Sequence, residues 1–215
     1  MILAAGVVVV LLMLPRLRRT HDADVERGAR LYLKVMSDDA LAFQHQGFID
    51  EDGDGIGEYA NLAALLDPLT YAAVNQTPSL EELHLKPSAT LPDVAIAVDY
   101  CFRIFVDETP TADGVNHREA SCLIVAWPVD NSKGELASFL ISADRTLMIS
   151  RQSTALGEEH PLQLSDIVVD PSDFGTLVPN VWQPVATTPQ DAAPKPVDAA
   201  VTEPKPAETV PPAPR

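Results

Sequence analysis

"VAIAVDYCFRIFV", Val94 to Val106, is the stretch on which the fold turns. It is rich in β-branched and aromatic residues and reads as a strand. "EASCLIVAWPV", Glu119 to Val129, has the same character. The link between them, "DETPTADGVNHR", is polar and carries Pro110 and Gly114, so the two runs form a hairpin with a long loop. "LASFLISA" and "TLMISRQ" come next, joined at Asp144-Arg145, and make a second, tighter hairpin. The expected sheet is an antiparallel meander of about four strands.

That pairing sets an expectation for the two cysteines. With the first hairpin turning near residues 111 to 113, Cys101 and Cys122 lie almost opposite each other. They then form a cross-strand disulfide in an oxidising compartment, or stay as two buried thiols on neighbouring strands. Two cysteines alone make neither a disulfide scaffold nor a zinc site.

Upstream of the strands the period is helical. Val25, Ala29, Tyr32, Leu33, Met36, Ala40 and Phe43 recur at spacings of three and four, one face of an amphipathic helix. Gly47 marks its end as a C-cap. Ahead of it stands "MILAAGVVVVLLMLP", with no charge from Met1 to Leu14, followed by Arg16, Arg18 and Arg19. The run is shorter than the roughly 20 residues that span a bilayer. It reads as a signal-peptide core without the usual basic start and small-residue cleavage site, or as the front of a longer helix. Between sheet and helix, "YANLAALLDP" is a short helix stopped by Pro68, and "SLEEL" starts another with Ser79 as N-cap and Glu82 closing a capping box.

The chain divides into an apolar anchor with a basic flank (1–19), an amphipathic spine helix (20–48), a globular α+β domain (49–182) and a Pro/Ala-rich tail (183–215). The tail holds nine of the 19 prolines and no aromatic residue. Such a segment buries too little surface to offset its ordering entropy and is expected to be disordered, a spacer or a PxxP-type ligand. A net charge of −16 excludes a nucleic-acid binder, which needs a basic face to displace counterions from phosphates.

"DEDGDGIGEY", residues 50 to 59, is the densest chemical signal. Asp50, Asp52, Asp54 and Gly55 fit positions 1, 3, 5 and 6 of a calcium loop; Ile56 offers a backbone carbonyl and Glu58 falls at position 9. Position 12, which wants a bidentate Glu, is Asn61. The competing reading is a plain turn, in which the glycines permit positive φ and the aspartates cap turns. No residues for a catalytic pocket accompany the acids. His45, His84, His117 and His160 are scattered over different elements, His21 lies near the apolar end, and no two stand at i, i+4. Ser121-Cys122 has no glycine elbow around it, and Trp127-Pro128 reads as a strand end that packs. These residues point to no enzyme.

The order of elements resembles the type IV pilin-like and pseudopilin proteins, especially divergent bacterial ones. "ILAAGVVVVLLMLPRLRR" is similar to their membrane half, "DGDGIGEYANLAAL" to the connector after their spine helix, and "YCFRIFV", "CLIVAWPV" and "FLISADRTLMIS" to their sheet. The likeness covers roughly residues 1 to 151. Their basic leader, Phe-Thr-Leu-type start and N-terminal Glu are not among these residues. The resemblance implies a single-pass inner-membrane anchor contacting lipid, a periplasmic domain, pilin-like homo- or hetero-oligomeric partners, and a structural role in a type IV pilus or type II secretion pseudopilus. The alternative is a membrane-tethered calcium- or ligand-binding module that builds no filament.

Overall fold

The hydrophobic stripe of the spine helix and the apolar strands need a common interior, and the structure supplies one on each face of a sheet. In the computed structural model of the chain, residues 2–50, 53–67, 84–107, 117–130, 136–171 and 173–185 are described. They belong to one compact unit, Met1–Val185. The "SLEEL" helix, the tip of the first long loop and the tail from Ala186 lie outside the described residues.

Helix α1 runs from Ile2 to His45 and includes Pro15, which forgoes one backbone hydrogen bond there. The stripe read from the sequence is the buried one: Ala29, Leu33, Met36, Ala40 and Phe43 are almost wholly enclosed. Gly47 ends the helix with φ of +62°, its N–H donating to the Gln44 carbonyl at 3.0 Å. Short α2 (Leu62–Leu65) follows, with the Asn61 side chain accepting from the Ala64 N–H at 2.9 Å.

The fold is α+β, but the sheet has seven strands rather than about four. These are β1 (Lys86–Pro87), β2 (Val94–Ala97), β3 (Tyr100–Val106), β4 (Cys122–Pro128), β5 (Ser138–Ser142), β6 (Leu147–Ser150) and β9 (Gln183–Pro184). All neighbours are antiparallel, in the order β1-β2-β3-β4-β5-β6-β9. The single strand expected over Val94–Val106 is two strands. Val98 and Asp99, at φ of 45° and 63°, turn the chain between them, as a two-residue hairpin with both central φ values positive requires. A β-branched residue seldom adopts that conformation. Here the Val98 side chain packs over the bare backbone of Gly28 on α1, where an added Cβ would meet it at 3.5 Å. The tail begins later than expected, because Gln183 and Pro184 pair with Ile149 and Met148.

Side chains alternate strictly across the sheet. One face puts Tyr100, Phe102, Ile104, Ile124, Phe139 and Ile141 against α1. The other puts Cys101, Leu123, Val125, Trp127 and Leu140 under Leu162, Ile167, Phe174 and Trp182. This second cover, residues 153–182, holds a 3-10 turn (Leu164–Asp166) and the hairpin β7 (Val168–Asp170) with β8 (Asp173–Leu177). Burial on both faces is why β4 reads as an unbroken apolar run instead of an alternating one.

The expected membrane span is corrected. Among the described residues no helix is long and apolar enough to cross a membrane. The uncharged run stops at Leu14, and Arg16, Arg18 and Arg19 follow it directly. The single-pass inner-membrane localisation with a periplasmic domain falls with it.

Candidate functional site

The acidic loop is built onto the C-terminal end of α1. Gly57 passes so close to the helix that a Cβ there would lie 2.2 Å from the Gln44 carbonyl oxygen and 2.9 Å from Gly47 Cα. Only glycine fits. The Glu58 N–H then donates to the Ile49 carbonyl at 3.0 Å, closing the loop at its base, and the Tyr59 N–H donates to the Arg118 carbonyl at 3.0 Å. Arg118 belongs to α3 (His117–Ala120), which α1 also holds: Gln44 Nε2 donates to the Glu119 carbonyl at 2.6 Å. The "GEY" triplet is thus a packing device, with Glu58 fully buried and Tyr59 nearly so.

Two of the expected calcium ligands, Asp50 and Asp54, engage the loop's own backbone. Asp50 spends one carboxylate oxygen on the Gly53 N–H at 2.7 Å and the other on the Gly55 N–H at 3.2 Å. Asp54 accepts from the Ile56 N–H at 2.7 Å. Gly53 and Gly55 sit at φ of +77° and +90°, the conformations the turn reading requires. Ile56 is exposed, whereas Glu58 is enclosed beneath the loop. Asp52 lies outside the described residues. Among the described residues no group of three His, Cys, Asp or Glu side chains is close enough to hold a metal ion.

The two cysteines do not meet either. Cys101 pairs with Trp127, and Cys122 pairs with Val106. Cys122 stands five residues from the position opposite Cys101, about 16 Å along the strand at ~3.3 Å per residue, against a Cα separation under roughly 7 Å for a disulfide. They also face opposite sides of the sheet. Both are free, which corrects the cross-strand bond. The sequence-based register assumed a turn near residue 112, which puts Cys101 opposite residues 122–123; the observed register puts it opposite Trp127. Burial pushes the Cys101 thiol up to about 11 and the Cys122 thiol up to about 12, so both stay protonated at neutral pH.

Composition did not reveal what fixes α1 to the sheet. Glu26, on the second half of α1, accepts from the Ala137 N–H at 3.1 Å and pairs with the Arg151 guanidinium at 3.1 and 3.3 Å. The Tyr100 hydroxyl, buried and held well above its ordinary pKa by desolvation, donates to the Ala137 carbonyl at 2.7 Å. Arg30 lies 5.8 Å over the Phe139 ring. On the other face Trp127 Nε1 donates to the Gly157 carbonyl at 2.8 Å, and the Gly157 N–H donates to the Pro128 carbonyl at 2.9 Å. Trp127 therefore packs as expected, with its ring N–H tied to the covering segment.

Compared with known proteins, the chain matches no family model, no curated protein and no solved structure.

Proposed function

We propose that this chain is a pilin-like structural subunit that works by packing against other subunits, as a component or relative of a type IV pilus or type II secretion pseudopilus. One observation carries the reading. Helix α1 is continuous from Ile2 to His45, and Val25 is the first of its described side chains in the core. At 1.5 Å per residue, about 35 Å of helix precedes Val25, and the first half of that length is the uncharged run Ile2–Leu14. A helix of that composition needs an apolar partner. The Glu26 clamp and the Val98–Gly28 contact stand where the helix leaves the sheet, and they fix its direction.

The test is to place a charge in the run. Val9→Asp with Leu12→Asp leaves every described core residue intact. The expected result is that the full chain associates in light scattering and the double variant is monomeric with an unchanged melting temperature. Monomeric behaviour of both chains would overturn the reading.

A further inference from the structure

We propose that a second copy of this chain docks its Arg16–Arg19 segment on the surface at the C-terminal end of α1, around Phe48, Asp50, Asp54 and Ile56. This deepens the assembly reading and rests on it. Large apolar side chains exposed to solvent are the starting observation. Phe48 is 42% exposed and Ile56 52%, and they flank Asp50 and Asp54 on one short loop whose base is closed by the Glu58–Ile49 hydrogen bond. The surface is apolar with an acidic rim, so its partner should be apolar with a basic rim.

The chain contains such a segment. Leu14, Pro15, Arg16, Leu17, Arg18 and Arg19 lie on successive positions of α1. No other four consecutive residues of the chain hold three basic ones. The two features cannot meet within one molecule. From Arg19 to His45 the chain is helix, 26 residues or about 39 Å of rigid rod. They can join only between copies, and a contact between different surfaces of identical chains is heterologous, building a ring where the rotation closes and an open filament where it does not.

A third exposed apolar side chain lies on α1 itself. When two copies run parallel with Arg18 of one beside the loop of the next, Ile2–Leu14 of the first runs along the α1 of the second, from near Tyr32 toward Gln44. Leu31, 55% exposed on α1, stands at the start of that track. Each copy carries a net charge of −16 and repels its neighbours overall. The basic segment supplies the local reversal of sign that lets them approach, and salt screens that attraction.

The experiment is a charge swap read by sedimentation velocity of the full chain at about 50 mM and about 500 mM salt. The wild type is expected to associate, more weakly at high salt. Arg18→Glu with Arg19→Glu should weaken association at least about tenfold, and adding Asp50→Lys and Asp54→Lys should restore it. The arginine pair is remote from the loop, so its effect is read even where the lysine changes disturb the turn; Ile56→Ser then serves as the second loop variant and should weaken association as well. Association that is indifferent to the arginine reversal and to Ile56→Ser would overturn this docking while leaving the subunit reading intact. A chain that is monomeric at every concentration would overturn both.

Discussion

Gly57 carries more of the loop's design than the aspartates beside it. Its missing Cβ leaves room for the Gln44 carbonyl, and any side chain would push the loop off the end of α1. Gly57→Ala is expected to cost at least about 2 kcal/mol, seen as a lower denaturant midpoint in circular dichroism; an unchanged midpoint would show that the loop does not lie where described. The motif was visible in the sequence, and both its readings were open. Spacing alone cannot show that Asp50 gives its oxygens to Gly53 and Gly55 or that Glu58 turns inward, because both depend on how the loop seats on the helix. The cysteines give a second residue-scale prediction. Unreduced native protein should show no reaction with a thiol reagent at pH 7, and two thiols per chain after denaturation without reductant. Fewer than two would restore the disulfide. Their distance from each other was not legible, since moving the centre of the hairpin by two residues shifts every cross-strand partner by four.

At the scale of elements, the helix was the most legible part. A stripe seven residues deep at three- and four-residue spacing has no competing period, and its C-cap glycine adopts the expected positive φ. The β2–β3 hairpin was the least legible, because its turn residues are Val98 and Asp99, neither of them the Asn-Gly pair that signals such a turn. The contact with Gly28 that steadies Val98 is made 70 residues away along the chain and has no local signature. The β5–β6 turn was legible at Asp144-Arg145, and its chemistry makes a prediction. Asp144 accepts from the Ser142 hydroxyl at 2.5 Å, the Thr146 N–H at 3.0 Å and the Thr146 hydroxyl at 3.0 Å. These bonds, that from Ser142 foremost, hold its carboxyl below the usual range. A depressed carboxylate contributes stability above its unfolded pKa and loses it as pH falls through the folded value. Asp144→Asn should therefore be less stable than wild type at pH 7, and the two should converge in acid below about pH 4 in urea titrations. A gap that stays constant with pH would show that the carboxylate charge is irrelevant to the turn.

At the scale of the molecule, a seven-strand antiparallel sheet is covered by α1 on one face and by residues 153–182 on the other. The α+β class follows from a long helix pattern ahead of a run of strands. The second cover was not anticipated: its strands are short and its polar residues frequent, and the apolar residues it turns to the sheet, Leu162, Ile167, Phe174 and Trp182 among them, follow no regular period. Burial on both faces means the sheet leaves little apolar surface for partners. The uncharged run Ile2–Leu14 of α1 and exposed apolar side chains such as Phe48, Ile56 and Leu31 are available for association. The central claim is that this run of the helix joins copies of the chain. Sedimentation equilibrium of the full chain over a wide concentration range tests it most directly. The account predicts a mass above the 23.2 kDa of one chain that rises with concentration; a mass that stays at 23.2 kDa throughout would contradict it.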